Sequence, residues 1–464
     1  MADGVTEAHA AFCGLRVLVA GYGVAGRSAV RALRASHAIV MVTSDSPVDL
    51  GDVASDVELH GPLDRLPDDP DAPGETDVDV LVVSPGYRPT HPLLRDAAAR
   101  GVPVWGEVEL AWRLRAAGAA PWLALTGTNG KTTTVRMLES MLRAASLRAA
   151  AVGNVGEPLI DAVLADPPFD LLAVELSSQQ LQFAPSPRPR AGALLNLAPD
   201  HLDWHGSFEA YAAAKTRVWA GEVAIGNADD PRVAALLPAG ATTFTLDEPG
   251  PGQLGVVDGQ LTCRAFGDDR LALGPVTEVR PAGRHNVANA LAAAALARAA
   301  GVDAEAIAAG LRAFVPDPHR NSLVATRAGV RWVDDSKATN PHAAAASLAA
   351  YDRVVWIAGG QLKGVDIDPL VASTADRLAG AVLLGRDRVA IATSLRRHAP
   401  EVPVITIDST DDGAMTSVVR AAAQLARPGD TVLLAPSAAS YDMFAGYGAR
   451  GDAFAAAVAE LGGA

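Results

Sequence analysis

The chain has 464 residues, with 39 lysine and arginine residues against 53 aspartate and glutamate residues, giving a formal net charge of −14. This length predicts about three domains, and the acidic balance argues against nucleic acid as a partner. The N-terminus lacks the basic start and apolar core of a signal peptide, and no run of about 18 apolar residues is present. We therefore expect a cytoplasmic protein with no segment inserted in a membrane.

Short apolar runs alternate with alanine-rich helical stretches along most of the chain. The runs that read as buried strands are residues 16–20, 79–83, 122–125, 171–174, 193–197, 353–358, 381–384 and 431–435. Repeated strand–turn–helix units predict an α/β fold with mostly parallel sheets covered by helices. Ligands bind beyond the carboxyl ends of strands in such sheets, so the residues that follow each strand are candidate site residues.

Two positions are suited to domain boundaries. One lies near residues 105–107, after a predicted helix and a Gly-Val-Pro turn, and the other lies at residues 315–318, where two prolines interrupt the chain. We predict an N-terminal Rossmann-like domain at 1–106, a central nucleotide-binding domain at 107–316 and a C-terminal Rossmann-like domain at 317–464. Between residues 238 and 281 the pattern is looser, with turns at 249–252 and 258–259.

The strongest local signal is a phosphate-binding loop at residues 126–133, which read TGTNGKTT after a strand and before a helix. Small residues let backbone N–H groups approach phosphate oxygens, and the helix N-terminus adds positive potential. Lys131 would reach the terminal phosphates, and the Thr132 hydroxyl would bind magnesium. Leu125 stands where the general motif has its first glycine, so an ordinary glycine-rich turn is the alternative.

Polar residues follow two further strands of the central region. Glu175 ends a strand, where a phosphate-loop enzyme needs a carboxylate for magnesium, although a solvent-exposed glutamate is the alternative. Residues 196–206, NLAPDHLDWHG, hold two histidines and two aspartates that could bind a cation or form a solvated loop. Lys215, in the next helix, reads on its own as a surface lysine.

The two outer regions also carry ligand-type loops. Residues 21–26, GYGVAG, form a GxGxxG turn with Asp45 downstream, and residues 84–86 belong to the same crevice. Because this turn serves any nucleotide diphosphate, an NAD-dependent oxidoreductase is one alternative. In the C-terminal region, residues 334–340, 359–364 and 436–441 each follow a strand, and their lysines and hydroxyls suit an anionic substrate.

The segments TGTNGKTT, ELSS, NLAPDHLDWHGS, YAAAK, RHNVANALAA, PHR and DDSKATNP occur in that order, and with them the chain resembles the Mur ligases of peptidoglycan synthesis. The first segment is shared with folylpolyglutamate synthases. DSKATN and the GxGxxG opening favour the branch that adds D-glutamate to UDP-N-acetylmuramoyl-L-alanine. The resemblance implies an ATP-dependent acid–amino-acid ligase that forms an acyl phosphate during cytoplasmic cell-wall precursor synthesis, and thereby serves cell shape and division.

The same resemblance implies a site shared by three domains. The ATP set is Gly127, Thr128, Asn129, Gly130, Lys131, Thr132, Thr133, Asn289, Arg320, Asp335 and Lys337. The catalytic set is Lys131, His201 and Lys215, and the ligands of two Mg²⁺ ions are Thr132, Glu175, His201 and Lys215, the last as a carbamate. The uridine-nucleotide set is Gly21, Gly23, Val24, Ala25, Ser84, Gly86, Asn154 and Ser177. The amino-acid set is Thr339, Lys363, Ser440, Tyr441 and Tyr447.

The sequence departs from the family pattern at a few positions. Gln361 and Leu362 precede Lys363 where Asp-Gly is often found, and Tyr447 stands where phenylalanine is common. Either His201 or a nearby carboxylate could take the proton of the incoming amine. A sister amide ligase and a catalytically silent homologue are the remaining alternatives, and we expect a monomer.

Overall fold

The computed structural model describes residues 9–53, 56–69, 75–411 and 413–461. The chain forms two compact units, one of Met1–Glu278 with Ala288–Phe314 and the other of Val279–Val287 with Val315–Ala464. Among the described residues, the first unit contains two sheets and the second contains one. The three-domain division at 1–106, 107–316 and 317–464 stays a prediction.

The first sheet is parallel, with five described strands in the order β3-β2-β1-β4-β5. Its strands are β1 (Arg16–Ala20), β2 (Ile39–Thr43), β3 (Glu58–His60), β4 (Val80–Val83) and β5 (Val104–Gly106). The helices that accompany it are α1 (Val24–Ala35), α2 (Pro92–Ala99) and α3 (Glu107–Arg113). The strand order reverses between β1 and β4, and a crevice for a ligand lies at such a switch point.

The second sheet has nine described strands in the order β14-β13-β12-β11-β10-β9-β6-β8-β7. They are β6 (Trp122–Thr126), β7 (Ala149–Gly153), β8 (Leu171–Glu175), β9 (Ala191–Leu194), β10 (Val223–Asn227), β11 (Thr242–Phe244), β12 (Gln253–Val257), β13 (Gln260–Cys263) and β14 (Leu271–Pro275). Pairing is parallel from β7 to β12 and antiparallel across β12, β13 and β14. The turn predicted at residues 258–259 is the two-residue hairpin between β12 and β13.

Helices follow most strands of this second sheet. They are α4 (Lys131–Ala144), α5 (Leu159–Val163), α6 (Ser178–Gln182), α7 (Leu202–His205), α8 (Phe208–Thr216), α9 (Pro231–Ala234), α10 (Arg284–Ala299) and α11 (Ala304–Ala313). Residues 290–297 of α10 are completely buried. A helix that is apolar on all sides belongs in a core, and its alanines let neighbouring elements approach closely.

The third sheet has six described strands in the order β15-β16-β20-β17-β18-β19. They are β15 (Ser322–Arg327), β16 (Val330–Asp334), β17 (Val354–Gly359), β18 (Leu378–Leu384), β19 (Val404–Thr406) and β20 (Thr431–Leu434). The helices are α12 (Pro341–Leu348), α13 (Asp368–Thr374), α14 (Arg388–His398), α15 (Ala414–Leu425) and α16 (Tyr447–Glu460). Strands β16, β20, β17, β18 and β19 pair in parallel, and β15 is antiparallel to β16.

The central strands are buried on both faces. Every residue of β4, β6, β8 and β17 is buried, as expected for parallel strands that are covered by helices on each side. Within the described ranges, no helix combines the length and the apolar character that a membrane crossing requires.

Candidate functional site

The phosphate loop, residues 126–133, joins the buried strand β6 to helix α4. Gly130 caps the N-terminus of α4 with φ of 82°, a left-handed conformation that glycine adopts without strain. A Cβ atom at this position would lie 2.4 Å from Oδ1 of Asn289, which is itself buried. Backbone conformation and close packing therefore both require glycine here.

Gly130→Ala is expected to distort the loop and to raise the dissociation constant of ATP by about tenfold or more, because the left-handed backbone costs an alanine about 1–2 kcal/mol and the methyl group displaces Asn289. Titration with a fluorescent ATP analogue measures the affinity. Gly240→Ala is the matched control, since Gly240 has φ of 78° with nothing within 4 Å of an added Cβ atom. Equal ATP affinity in both variants would contradict a role for close packing at Gly130.

Residues after β9 hold the loop in place. The side chain of Asn196 accepts a hydrogen bond from the Asn129 N–H at 2.8 Å and donates one to the Asn129 carbonyl at 3.0 Å. The Thr128 hydroxyl lies 2.8 Å from the hydroxyl of Tyr211 and accepts a bond from the Ala198 N–H at 3.0 Å. These contacts fix the loop backbone, whose N–H groups are the predicted phosphate ligands.

Lys131, the first residue of α4, turns its side chain back over the loop. Its Nζ donates hydrogen bonds to the carbonyl of Gly127 at 2.9 Å and to that of Thr128 at 3.0 Å. Lysine binds the terminal phosphates of a nucleotide as a point charge. The ammonium group therefore lies within the loop that the sequence predicts to bind ATP.

The expectation from the residues alone that Lys215 lies at the surface is wrong. Its side chain is 2 % exposed, and Nζ donates hydrogen bonds to Oγ1 of Thr126 at 3.1 Å and to the carbonyl of Gly127 at 2.8 Å. Nζ also lies 4.9 Å from the ring centre of Tyr211. Helix α8 thus places a second amine against the strand end and the first residue of the phosphate loop.

The electrostatic surroundings of Lys215 disfavour its charged form. Burial is the main cause and the positive charge of Lys131 is the second, and together they lower the pKa of Lys215 well below its usual value. Asp200 and Glu175 act in the opposite direction to a smaller extent. The result is an environment that favours a neutral, nucleophilic amine.

Glu175 ends β8, the strand that pairs with the loop strand β6. Its Oε1 accepts a hydrogen bond from Nδ2 of Asn154 at 2.8 Å, whereas the enclosed Oε2 has no hydrogen-bond partner among the described residues. A buried carboxylate oxygen without a donor is costly, and a cation would satisfy it. Thr132, in the first turn of α4, supplies the hydroxyl expected of a magnesium ligand in such a loop.

The histidine-containing segment lies between β9 and α8. His201 has φ of 51°, and its Nε2 lies 3.7 Å from Oδ2 of Asp200. His205 contacts the hydroxyl of Ser178 at 2.9 Å, and burial, followed by the charges of His201 and Lys215, lowers the pKa of His205 to about 4. His205 is therefore a neutral ring near pH 7. Across the described ranges, no three His, Cys, Asp or Glu side chains are grouped as a metal site by themselves.

The glycine-rich turn after β1 has the backbone of a nucleotide-binding loop. Gly21 has φ of 92°, and a Cβ atom there would lie 2.5 Å from Oγ of Ser84, which follows β4. A Cβ atom at Gly26 would lie 2.1 Å from the carbonyl oxygen of Gly21. Helix α1 begins at Val24 without a side-chain cap, and a helix N-terminus favours binding of a phosphate.

The other predicted uridine-nucleotide residues follow neighbouring strands. Gly86 lies two residues after Ser84, and Asn154 and Ser177 follow β7 and β8 of the second sheet. Ser177 caps α6 in a reciprocal capping box with Gln180. Asn154 is tied to Glu175, which links the predicted muramoyl-substrate residue to the predicted magnesium ligand.

The predicted nucleotide residues of the second unit, Arg320, Asp335 and Lys337, lie just before β15 or just after β16. Oδ1 of Asp335 accepts a hydrogen bond from the Asn321 N–H at 3.1 Å, and burial raises the pKa of Asp335 to about 6. Arg320 and Asn321 line a cavity of about 450 Å³, and the hydroxyl of Tyr351 donates to Oδ1 of Asn321 at 2.6 Å. Of the predicted ATP residues, Arg320 therefore borders a concave surface, and Asp335 is bonded to its neighbour Asn321.

Three loops of the second unit follow adjacent parallel strands. Residues 334–340 follow β16, residues 436–441 follow β20 and residues 359–364 follow β17, so all three leave the same edge of the sheet. Among the predicted amino-acid residues, Ser440 is buried, Thr339 is half-buried, and Lys363, Tyr441 and Tyr447 are exposed. Nζ of Lys337 lies 3.9 Å from the ring centre of Tyr447.

Comparison with known proteins decides the family. Residues 125–297 match the Mur ligase middle domain, and residues 319–438 match the Mur ligase glutamate ligase domain. The UDP-N-acetylmuramoylalanine--D-glutamate ligase of Streptomyces avermitilis is 55 % identical over 463 residues, which cover 97 % of this chain and 99 % of that protein. The ligase of the same name from Streptomyces coelicolor is 55 % identical over 468 residues. The chain belongs to the Mur ligase family.

Solved structures agree with the fold of this Mur ligase. A pseudomurein peptide ligase type C from Methanothermus fervidus superposes with a TM-score of 0.60, covering 97 % of this chain and all of that chain at 18 % identity. At that identity the likeness shows the fold alone. The predicted α/β architecture is confirmed.

Some residues that shape this Mur ligase site were not singled out by the sequence. Asn196 and Tyr211 are hydrogen-bonded to the phosphate loop. Both lie inside segments that carry the family resemblance, and this location was the sequence signal that could have identified them. Arg450, which contacts all three loops of the second unit, follows no motif.

Proposed function

We propose that this Mur ligase joins D-glutamate to UDP-N-acetylmuramoyl-L-alanine at the expense of ATP, through an acyl phosphate. The observation that carries the proposal is the 55 % identity, over almost the full length of both chains, to a D-glutamate ligase. The phosphate loop of this chain also contains the lysine that such a reaction needs. The structure supports nucleotide binding through the glycine-dependent conformation of the loop at Gly130.

The reaction proceeds in two displacements. A carboxylate oxygen of the alanyl group attacks the γ-phosphorus, the bond to the bridging oxygen breaks, and ADP leaves with that electron pair. The amine nitrogen of glutamate then attacks the acyl carbon, the carbon–oxygen bond to phosphate breaks, and inorganic phosphate leaves as the amide forms. Lys131 and the loop N–H groups stabilise the charge on the phosphoryl oxygens.

The proton released by the attacking amine needs an acceptor in the site. Either His201, when it is not bound to magnesium, or the nearby carboxylate of Asp200 is proposed for this role, and the ring nitrogen and the carboxylate oxygen lie 3.7 Å apart. His205 is the weaker candidate, because its pKa of about 4 makes it a poor base.

Two Mg²⁺ ions are proposed to accompany ATP, with Thr132, Glu175, His201 and Lys215 as their protein ligands. The fit is supported by the enclosed Oε2 of Glu175, which lacks a hydrogen-bond donor among the described residues. When bound, the ions supply neutralisation of phosphate charge. The protein contributes a rigid carboxylate, since Asn154 holds the other oxygen of Glu175.

Lys215 is proposed to act as a carbamate. Its amine nitrogen adds to the carbon of CO₂, a nitrogen–carbon bond forms, and one proton is released to solvent, so the side chain becomes an anion. The step requires a neutral amine, and the burial that lowers the pKa of Lys215 supports this form. A carbamate beside Lys131 would place an anion next to its ammonium group, and the two charges would attract each other.

We propose that the enzyme acts as a monomer in the cytoplasm, where ATP and nucleotide sugars are available. UDP-N-acetylmuramoyl-L-alanine and D-glutamate are the proposed small-molecule partners.

The test of the proposed function is phosphate release by the purified chain with ATP, UDP-N-acetylmuramoyl-L-alanine and a panel of amino acids of both hands. D-glutamate is expected to give release at least about tenfold faster than L-glutamate, glycine or L-alanine. Omission of the uridine nucleotide is the control for uncoupled ATP hydrolysis. Preference for another amino acid would reject the proposed substrate, and a lack of release with every acceptor would reject the proposed function.

Lys363→Ala is expected to raise the KM for D-glutamate by about 10- to 100-fold while the KM for ATP stays within about twofold, because a charge-assisted contact to a carboxylate is worth about 1.5–3 kcal/mol. Steady-state kinetics with each substrate varied in turn make the measurement. Arg397→Ala is the control, since it removes another exposed cation, which pairs with Asp368 at the surface. An unchanged KM for glutamate would displace Lys363 from the pocket.

A further inference from the structure

One guanidinium group connects the three loops that carry the predicted amino-acid residues of the second unit. Arg450 lies in the first turns of α16, and its side chain is 1 % exposed. It donates hydrogen bonds to Oγ and to the carbonyl of Ser336, both at 2.9 Å, and to the carbonyls of Ala438 at 3.1 Å and Gly359 at 3.3 Å. Each acceptor residue belongs to a different loop.

The loops are also tied to one another around this side chain. Ala439 and Gln361 exchange two backbone hydrogen bonds, at 2.8 and 3.0 Å, and the Ser437 N–H donates to the carbonyl of Ala338 at 2.9 Å. Oγ of Ser336 donates in turn to the carbonyl of Tyr447 at 2.8 Å. The guanidinium group therefore lies at the centre of a hydrogen-bond network. The predicted pocket residues are connected to this network through backbone atoms and through their neighbours in the chain.

Neighbouring packing leaves this helix little freedom to shift. A Cβ atom on Gly451 would lie 2.1 Å from Nδ1 of His319 and 2.7 Å from Oδ2 of Asp334. His319 and Asp334 are hydrogen-bonded to each other at 2.6 Å. The Arg450-Gly451 pair thus fixes α16 against the end of β16 and against the segment that precedes β15.

All four acceptors of Arg450 are neutral oxygens. Burial lowers the pKa of Arg450 to about 10, and the carboxylates of Asp442 and Asp334 act in the opposite direction, so the group stays charged near pH 7. A guanidinium group presents five N–H donors in a fixed planar fork, so one side chain can bind acceptors from three loops at once.

We infer that Arg450 is a positioning residue for the amino-acid subsite, because it holds the 334–340, 359–364 and 436–441 loops in register. The inference rests on the proposed function and adds a residue that the pocket needs without touching the substrate. Substitution of Arg450 should therefore change the KM for the amino acid without a matching change in the KM for ATP.

The test compares Arg450→Met and Arg450→Lys with wild type by steady-state kinetics, with the amino acid that the wild type accepts best varied against saturating ATP. Arg450→Met is expected to raise the amino-acid KM by about tenfold or more, with the KM for ATP within about twofold. Arg450→Lys, which keeps the charge and loses the fork of donors, is expected to lie between them. Arg327→Met is the control, because Arg327 donates to the carbonyl of Ala459 at the other end of α16.

A second variant covers the case in which Arg450→Met does not fold. Ser336→Ala removes the hydroxyl that receives Nε of Arg450 and is expected to raise the amino-acid KM by a few-fold. An unchanged amino-acid KM in the folded variants, or an equal rise in the KM for ATP, would overturn the inference. Because wild type is measured first, a failure of the proposed substrate shows in the wild-type panel and a failure of this inference shows only in the variants.

Discussion

Lys215→Ala is expected to lower the rate of phosphate release by about 10²–10³-fold, the loss typical of removing one group that stabilises charge in a transition state. The variant loses the proposed carbamate beside the phosphate loop, and with it one anionic ligand for magnesium. Phosphate release under saturating substrates measures the effect, and thermal unfolding checks that the fold is retained.

Chemical rescue separates the carbamate from a simple amine. Short carboxylates such as acetate or propionate are expected to restore part of the activity of Lys215→Ala, because they can supply the missing anion in the cavity. Lys215→Arg is the control, since it keeps a cation, cannot add CO₂ and leaves no room for a carboxylate. A fully active Lys215→Ala enzyme would remove Lys215 from the site.

The same substitution has a consequence for stability. In CO₂-free buffer the unfolded chain protonates Lys215 below its usual pKa near 10.5, while the folded chain resists protonation until a lower pH. The unfolded state then binds more protons, so the free energy of unfolding rises with pH between the depressed pKa and 10.5. This slope is expected to be smaller in Lys215→Ala, as measured by denaturant unfolding across that range.

Lys131→Ala is expected to abolish measurable release of ADP, with a loss of at least about 10²-fold in kcat. The ammonium group at the N-terminus of α4 is the cation that the loop offers to the terminal phosphates, and Lys215, 2 % exposed and bonded to Thr126, cannot replace it. A coupled assay for ADP makes the measurement. Thr216→Ala is the control, because its hydroxyl donates to the carbonyl of Ala213 within α8. Near-normal turnover would contradict the loop assignment.

The sequence predicts those parts of the fold that depend on residues close together in the chain. The strand runs at 16–20, 122–125 and 431–435 are found within a residue or so of their predicted ends, because unbroken apolar runs between turn residues leave few alternatives. The phosphate loop is likewise local, since glycine, lysine and helix start follow one another. The short strands β11 and β19, of three residues each, have too little pattern to be recognised.

The burial of Lys215 could not be predicted from periodicity. The helix around it reads YAAAK, and alanine fits either face, so nothing marks the side that packs inward. The burial depends on Thr126 and Gly127, which lie almost 90 residues earlier in the chain. Arg450 is a similar case, because its partner Ser336 is 114 residues away.

The small number of lysines was nevertheless a sequence signal that Lys215 belongs to a functional site. The chain contains four lysines, at positions 131, 215, 337 and 363, against 35 arginines. Surface cations are therefore almost entirely arginine, and each lysine stands at a predicted site position. Where a chain uses arginine for its solvated surface, a lysine deserves a chemical explanation, since the two side chains differ in pKa range and in reactivity.

Because of this distribution, a reagent that reacts with side-chain amines can modify the protein only at predicted site positions. Lys215 is enclosed, Lys131 and Lys337 are half-buried, and Lys363 stands exposed with a left-handed backbone on its loop. Among the side-chain amines, an amine-selective acylating reagent would consequently react first with Lys363 in the predicted glutamate pocket and would leave the arginine-covered surface untouched. Peptide mapping after such labelling would follow pocket occupancy directly, through protection of a single residue by a bound amino acid.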